Sequence, residues 1–220
     1  MKPISRYQLT LTLAAFTMSI AVAPAAMAYV EKLQSEQVQE AFSLGRSTDP
    51  DTVRQFFEKY SRMLDCPATG VCVDSIELRT PYEQVAVRSR RRASDYSEQD
   101  AEKDYQARPT KLSVHIFVLY PLDFSNDDTD ASQSEDQPDS KDGASFYGYR
   151  IRVSQNRAMK PTRIHGRPIA LGDSPSVYAG EEEIILEFDP TQFDDGVAQI
   201  QVVTPDGQTV ESEFDLSNLK

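Results

Sequence analysis

The sequence predicts an α+β protein, in which an N-terminal helical hairpin precedes a mostly antiparallel, sandwich-like β domain of immunoglobulin-like size. Three observations predict this fold class. Apolar residues recur every three or four positions up to residue 64, they alternate every two positions from residue 71, and a Thr-Pro-Asp-Gly turn at 204–207 separates the last two apolar runs. The predicted segments are a signal peptide at 1–28, the hairpin at 29–65 and the β-rich domain at 66–220, with a disordered acidic loop at 123–145.

The first 28 residues are typical of a secretory signal peptide. Lys2 and Arg6 precede an apolar run of about 14 residues, and Ala26-Met27-Ala28 supplies a signal-peptidase site. A membrane-spanning helix needs about 20 residues, so we expect an exported protein, periplasmic or secreted, with no transmembrane span after cleavage. An uncleaved anchor is the alternative.

The charge of the chain excludes one class of partner. Cleavage removes two cations from a net charge of −12, so the mature protein would carry −14. A surface this acidic repels a polyanion, and we therefore expect no nucleic acid partner.

The two cysteines, Cys66 and Cys72, are predicted to form a structural disulfide. Outside the cytoplasm, two nearby thiols usually oxidise. Pro67 and Gly70 suit the turn that brings the two sulfur atoms together. A thioredoxin-type redox pair needs a spacing of two residues, and a zinc site needs a second Cys or His pair, so both alternatives fit less well.

Two helices are predicted before the cysteines. Ser35 can cap a helix that ends at Gly45, and Asp49-Pro50 is typical of an N-cap followed by proline at the first helical position. The apolar spacing of the second helix continues to Leu64. We expect the two helices to pair as an αα-hairpin through one apolar face.

The region that follows predicts strands interrupted by one helix. Residues 71–79 alternate as a half-buried strand, and residues 82–87 predict a second extended piece after Thr80-Pro81. Ser97 can cap a short polar helix that ends at Arg108-Pro109. Residues 111–120 are rich in β-branched and aromatic residues and nearly continuous in apolar character, which predicts a strand in the middle of a sheet.

The C-terminal third predicts strands and turns only. The acidic segment at 123–145 buries too little surface to order itself. Four to six short strands follow, with a turn at His165-Gly166 and a hairpin at Pro205-Asp206-Gly207, where proline fixes φ and the next two residues tolerate positive φ.

Four segments carry a resemblance to a known group. They read LGRSTDPDTVRQFFEKY, RTPYEQV, YSEQDAEKDY and TPDGQTVESEFDL. Through them the chain resembles a group of exported bacterial proteins of unknown function, over nearly all of the mature sequence. The resemblance implies export and the helix-then-β layout, and it supplies no functional residue.

Catalytic residues are not predicted. Ser145 and Ser174 each lie in a Gly-x-Ser motif that lacks the final glycine of a nucleophile elbow. His115 and His165 are the only two histidines that could act as a general base. We expect His115 to be satisfied within its sheet and His165 to be solvated in its turn.

Metal and cofactor sites are not predicted either. The sequence has no Walker loop, no Gly-x-Gly-x-x-Gly and no His-Glu-x-x-His. Residues 126–130 place oxygen ligands at alternate positions, as an EF-hand does, but Ala131 and Gln137 replace its glycine and its bidentate glutamate. A weak calcium site is the alternative to a solvated run of charge.

One cluster of positive charge stands out. It consists of Arg88, Arg90, Arg91 and Arg92. These arginines are candidates for binding a phosphate, an anionic glycan or lipid headgroup, or an acidic partner. The simpler interpretation pairs them with nearby acids at 95–100 or with the acidic loop.

Taken together, the sequence favours an exported, non-catalytic interaction module whose partner is an envelope protein or an anionic surface ligand. Two alternatives stay open. One is an exported hydrolase with a non-standard site, and the other is a weak calcium-binding module.

Overall fold

The computed structural model describes residues 32–108, 111–121, 143–169 and 178–220. These residues form a mixed α+β fold with a β-rich part, as predicted. The helices are α1 (Ser35–Gly45), α2 (Pro50–Glu58), α3 (Pro81–Arg91) and α4 (Glu98–Ala107). The strands are β1 (Ser61–Met63), β2 (Cys72–Arg79), β3 (Leu112–Pro121), β4 (Ala144–Phe146), β5 (Tyr149–Ser154), β6 (Ala158–Met159), β7 (Arg163–Ile169), β8 (Tyr178–Phe188), β9 (Val197–Val203) and β10 (Thr209–Asp215).

The strands form two sheets, and every described strand pair is antiparallel. The first sheet has the order β1-β2-β3-β8-β7, and the second has the order β10-β9-β5-β4, with β6 paired to β5. The apolar strand β3 lies at the centre of the first sheet, which confirms its prediction. Buried residues of both sheets belong to one hydrophobic cluster, which includes Ile116, Leu186 and Val202.

The first sheet has two chemically different faces because side chains alternate along each strand. Its core face carries the apolar residues, such as Leu78 and Val114. The opposite face, called the outer face below, carries polar residues on neighbouring strands. They are Glu77 and Arg79 on β2, Ser113 and His115 on β3, and Glu183 on β8.

The starts of α2 and α4 follow the sequence signals closely, whereas α1 has Gln34 at its N-cap position and Ser35, the predicted cap, is its first helical residue. Asp49 caps α2 by accepting from the amide of Asp51 at 3.2 Å, and Pro50 occupies the first turn. Ser97 and Asp100 form a reciprocal capping box at the start of α4. Both predicted helices are therefore confirmed, because a cap and a proline at the first turn satisfy or remove donors that the helix itself leaves unpaired.

The predicted helical hairpin is not confirmed. Helix α1 packs against α3 and α4, and its Val38 and Ala41 share a small hydrophobic cluster with Tyr82 and Val85 of α3. Gly45 allows this close approach, since a Cβ atom there would overlap the carbonyl oxygen of Ala86. The partner of α1 thus comes from a segment that the sequence predicted to be extended.

That prediction for residues 82–87 is wrong, because they form α3. The hydroxyl oxygen of Thr80 accepts from the amide of Glu83 at 3.2 Å, and Pro81 occupies the first turn. Tyr82, Val85 and Ser89 are buried at three- and four-residue spacing, which is a helical period. Thr80-Pro81 is therefore a helix start, although it interrupts the strand pattern.

Two further predictions of local structure are wrong. Helix α2 ends at Glu58, and residues 61–63 form β1, because they pair with β2 in the register Ser61↔Glu77. His165 and Gly166 lie within β7, paired with β8, so they do not form a turn. The neighbouring strand decides both cases by supplying backbone partners.

The predicted acidic loop falls mostly on residues outside the described ranges. Its last two residues, Ala144 and Ser145, belong to β4 and pair with β5. The predicted signal peptide and the candidate calcium ligands at 126–130 also lie outside the described residues. Among the described helices, none combines the length and the apolar character that crossing a membrane requires.

Two predicted links are present. Cys66 and Cys72 are placed to form a disulfide, with Cα atoms 5.0 Å apart, and they join the segment after β1 to the start of β2. The Thr-Pro-Asp-Gly turn joins β9 to β10, with Gly207 at φ 86°. Asp206 accepts from the amide of Val71 at 3.1 Å, so this turn also holds the chain that enters β2.

Candidate binding site

A pocket of about 360 Å³ lies where α3 meets the β1–β2 edge of the first sheet. It is called the arginine pocket below. Its cationic lining consists of Arg79 from β2 and of Arg90 and Arg91 from α3. Helix α3 brings the last two there because its C-terminal turn lies beside the pocket. Cations are also favourable at this end of a helix, where the macrodipole is negative.

The structure divides the predicted arginine cluster in two. Arg90 and Arg91 line the pocket, and Arg88 and Arg92 do not. Arg92 forms an ion pair with Asp104 at 3.9 Å. Among the described residues, no ion pair within 4 Å involves Arg88, Arg90 or Arg91. Within that part of the chain an intramolecular pair is therefore seen for Arg92 alone, and its partner is Asp104 instead of the predicted acids at 95–100.

The acidic side chains of the pocket are Glu77 and Glu83. Glu77 accepts from Nε of Arg79 at 2.8 Å, so these two charges offset each other. Glu83 is only 3% exposed, and its Oε2 has no hydrogen-bond partner in the described part of the protein. Burial, opposed in part by the charges of Arg79 and Arg91, raises the pKa of Glu83 to about 8.

The charge balance of the pocket follows from these pairings. At neutral pH the Glu83 carboxyl is mostly protonated and therefore mostly neutral. Arg79 is offset by Glu77, which leaves Arg90 and Arg91 as uncompensated cations. The arrangement can attract an anion and can donate a hydrogen bond to it from the Glu83 carboxylic acid.

The remaining wall of the pocket is mostly apolar, with Ser61 as a polar member. Phe57 of α2, Tyr60 before β1 and Val87 of α3 supply it. Tyr60 is buried, which raises its pKa to about 12, and its hydroxyl accepts from the amide of Lys220 at 3.2 Å. The Tyr60 hydroxyl is therefore a fixed neutral group at physiological pH. A ligand that fills this pocket would contact charged side chains on one side and mostly apolar side chains on the other.

Arg79 connects the pocket to a second polar network on the outer face. Its Nη2 lies 3.7 Å from Oε1 of Glu183, which is fully buried. Glu183 also accepts from Nδ1 of His115 at 2.5 Å and from Nε of Arg167. The Nε2 atom of His115 lies 2.9 Å from Oγ of Ser113. This set of residues is called the histidine network below.

The protonation states of the histidine network follow from burial and pairing. Burial lowers the pKa of His115, although the hydrogen bond to Glu183 opposes this shift. Burial alone would raise the pKa of Glu183, but the hydrogen bonds from His115 and Arg167 outweigh it and hold that pKa well below its usual range. A neutral His115 donates through Nδ1 to an ionised Glu183, so its Nε2 accepts from the hydroxyl of Ser113.

This order of groups resembles the chemical order of a serine triad: hydroxyl, imidazole, carboxylate. Ser113 and His115 are each 7% exposed, and neither lines the arginine pocket. They also do not line a second pocket of about 300 Å³, on the other sheet near Arg152 and Gln199. His115 is thus satisfied within its sheet, as the sequence suggests, with Ser113 as a partner that the sequence did not identify.

The other candidates from the sequence are not brought together. His165 lies on edge strand β7, and its Nδ1 is buried without a hydrogen-bond partner among the described residues. Ser145 is exposed on β4, and Ser174 lies outside the described residues. In the described ranges, no group of three or more His, Cys, Asp or Glu side chains could hold a metal ion.

Sequence reasoning missed Glu83, Arg79 and Glu183. Glu83 had a usable signal, since it lies three residues after Thr80 in a helix start. Glu183 had a weaker signal, because it is one of three consecutive glutamates beside an apolar strand. Arg79 had none, since its role depends on α3 lying beside the end of β2.

Comparisons with known proteins give no relative for this chain. No protein-family model, no curated protein and no solved structure matches it. The resemblance to exported bacterial proteins of unknown function stays a prediction from the sequence.

Proposed function

We propose that the mature protein is an exported, non-catalytic binding module of the cell envelope or the secreted fraction, and that its arginine pocket holds an anionic group of the partner. The observation that carries this proposal is the position of Arg90 and Arg91. Both line a pocket, and no described acidic side chain lies within ion-pair distance of either. The partner would be an envelope protein or an anionic surface ligand.

The contrast between local and overall charge supports the proposal. The whole chain carries a net charge of −12, so a surface site with two uncompensated arginines is a local exception. Such a site can attract an anion over a short range, and the surrounding negative charge rejects large polyanions. The expected ligand is therefore a small anion or a single anionic group, and we expect no nucleic acid partner.

The test compares two double variants of one helix. Calorimetric titrations with phenylacetate, citrate and inorganic phosphate would be made at low and at moderate salt. Arg90→Ala/Arg91→Ala removes the pocket cations and should reduce the affinity for the preferred anion at least tenfold. Arg88→Ala/Arg92→Ala removes the same charge from the same turn, outside the pocket, and should change the affinity less than threefold.

Two outcomes would overturn the proposal. One is that no anion binds to the wild-type protein. The other is that both double variants lose affinity equally, which would indicate a general charge effect instead of a site. Crosslinking in the native envelope, followed by identification of the attached molecule, would then name the partner.

A second candidate function is an exported hydrolase centred on Ser113. It is favoured by the two distances in the histidine network, 2.9 Å from Ser113 to His115 and 2.5 Å from His115 to Glu183. A fluorophosphonate probe tests it. Attack by Oγ of Ser113 would form the oxygen–phosphorus bond and expel fluoride, while the hydroxyl proton passes to Nε2 of His115. Labelling that disappears in Ser113→Ala would support this function, and absence of labelling in the wild type would reject it.

Two parts of the predicted architecture also stay proposals. We infer that the two sheets pack as a sandwich of immunoglobulin-like size, a proposal supported by the hydrophobic cluster to which both contribute. We also keep the N-terminal helical hairpin as a proposal, although α1 packs against α3 and α4. Amide hydrogen exchange would test the sandwich, since strands in a sandwich core exchange together and slowest.

A further inference from the structure

Glu83 is a buried residue of the arginine pocket whose hydrogen bonding is incomplete among the described residues. A buried polar atom normally has a hydrogen-bond partner, because an unpaired one costs about 1–3 kcal/mol. The Oε2 atom of Glu83 has no such partner among the described residues, and the side chain lines the pocket. A ligand in the pocket would supply the missing partner.

We propose that the arginine pocket binds a small carboxylate with an apolar tail, and that Glu83 donates a hydrogen bond to the ligand carboxylate. This inference rests on the proposed function and names its ligand class. The ligand carboxylate would lie between Glu83 and the two pocket cations, Arg90 and Arg91. Its tail would contact the apolar wall formed by Phe57, Tyr60 and Val87.

The lining of the pocket favours a carboxylate with a tail over a phosphate. An acid–carboxylate pair uses one donated proton, which is what a single buried Glu83 can offer. A phosphate dianion would leave the apolar wall without a partner and would prefer a larger number of fixed donors. The volume of about 360 Å³ lies at the small end of the range for ligand pockets, about 300–1,000 Å³.

The charge state of Glu83 makes this binding depend on pH. Burial raises its pKa to about 8, so the free pocket holds a neutral acid at pH 7 and a carboxylate at pH 9. The charged groups that face it are Arg79 and Glu77 from β2 and Arg91 from α3. From the segment before β1, Tyr60 also faces it, and burial keeps that hydroxyl neutral up to a pKa of about 12. The arginines keep their charge throughout this range. Ionised Glu83 would repel the ligand carboxylate, so affinity should fall as Glu83 loses its proton.

The experiment is a titration with phenylacetate at pH 7 and pH 9, at constant low salt. The probe stays ionised at both pH values, so a change in affinity reports the protein. If only the protonated form of Glu83 binds, the wild-type affinity falls about tenfold between pH 7 and pH 9. Glu83→Gln keeps a neutral donor of similar shape, so it should bind within about threefold of wild type at pH 7 and should not respond to pH.

Three controls separate the outcomes. Circular dichroism at both pH values shows that each variant is folded. Phenylacetamide has the same tail without the charge, and it should bind at least tenfold more weakly than phenylacetate. Inorganic phosphate has the charge without the tail, and it should also bind more weakly.

Each contrary result overturns a defined claim. Phosphate that binds as tightly as phenylacetate, with Arg90→Ala/Arg91→Ala still disruptive, would overturn the carboxylate class and leave the proposed function intact. Phenylacetate affinity that is equal at pH 7 and pH 9, or a Glu83→Gln variant as sensitive to pH as the wild type, would overturn the role of Glu83 alone. If none of these anions binds, both this inference and the proposed function fail.

Discussion

Glu83 and Glu183 are two buried carboxyl groups that both interact with Arg79, yet their charge states are opposite. Glu183 is fully buried, accepts from His115 and Arg167, and has a pKa well below its usual range. Glu83 is 3% exposed, its Oε2 lacks a partner among the described residues, and its pKa is raised to about 8. Burial raises the pKa of both carboxyl groups, and only Glu183 has hydrogen-bond donors that outweigh it. A fully paired carboxylate is typical of a structural element, and an incompletely paired acid at a pocket wall is typical of a binding group.

The largest expected effect is the loss of the paired carboxylate. Glu183→Ala leaves the buried His115 and the exposed Arg167 without their acceptor, so we expect a loss of about 3–5 kcal/mol in the free energy of unfolding at pH 7. Denaturant unfolding measures this loss. The matched control is Glu187→Ala on the same strand, whose ion pair with Lys111 at 2.6 Å is partly exposed and should contribute only about 0–1 kcal/mol. Equal losses in the two variants would show that the buried carboxylate of Glu183 contributes no more to stability than a partly exposed ion pair.

The second effect has the opposite sign. The folded pKa of Glu83, about 8, lies above its ordinary value of 4.5, so the wild type loses stability as pH rises from 4.5 to 8. Glu83→Gln removes this loss. We expect a gain of a few kcal/mol at pH 9 and less than about 1 kcal/mol at pH 5, measured by denaturant unfolding at both pH values. A gain of the same size at pH 5 would mean that packing, and not charge, explains it.

The stabilisation that the Cys66–Cys72 disulfide contributes should not depend on pH, so it serves as a reference. Cys72 starts β2, the strand whose last residue, Arg79, interacts with both glutamates. Cys66→Ser/Cys72→Ser should cost about 2 kcal/mol, because the closed loop is short. The loss should be equal at pH 5 and pH 9 in the same unfolding assay. A loss that differs between the two pH values would indicate that the link adjusts the position of Arg79.

The smallest expected effect is a change in stability at acidic pH. The folded pKa values of His115 and Glu183 are both lowered, so their stabilisation is complete above about pH 6.5, the ordinary value for histidine, and declines as pH falls. In the Glu83→Gln variant, where the opposing titration of Glu83 is removed, the free energy of unfolding should therefore be lower at pH 5 than at pH 7. When His115→Gln is added to that variant the difference should be smaller, although the double variant is less stable at both values. An unchanged difference would show that His115 does not titrate in this window.

Local signals predicted part of this fold well. Asp49-Pro50, Ser97 and the Thr-Pro-Asp-Gly turn act on neighbours within about four residues, so their effect can be read directly from the chain. The strand β3 was predicted as central because it is nearly continuous in apolar character, with Ser113 and His115 as exceptions. Helix α3 was missed because Val85 and Val87 match a strand period, and the helix period of Tyr82 and Val85 is too short a signal to outweigh it.

The sequence likewise predicted some residues of the candidate site and not others. The sequence identified Arg90 and Arg91 by charge alone, and it identified the disulfide from spacing and the predicted compartment. It did not identify which arginines line a pocket, because Arg90 and Arg92 differ only in the direction each takes from the end of α3. It also did not identify the link from Ser113 through His115 to Glu183. Glu183 is far from the other two in the chain, and the link forms only because β3 pairs with β8.

The amino-acid sequence alone accounts for the features whose causes are local: helix caps, turns, the central strand and a concentrated positive charge. Tertiary structure alone decided the protonation of Glu83 and Glu183. The physical reason is that a pKa depends on desolvation and on the charges and donors within a few ångströms. Those neighbours come from β2, β3, β7 and α3, and only folding brings them together.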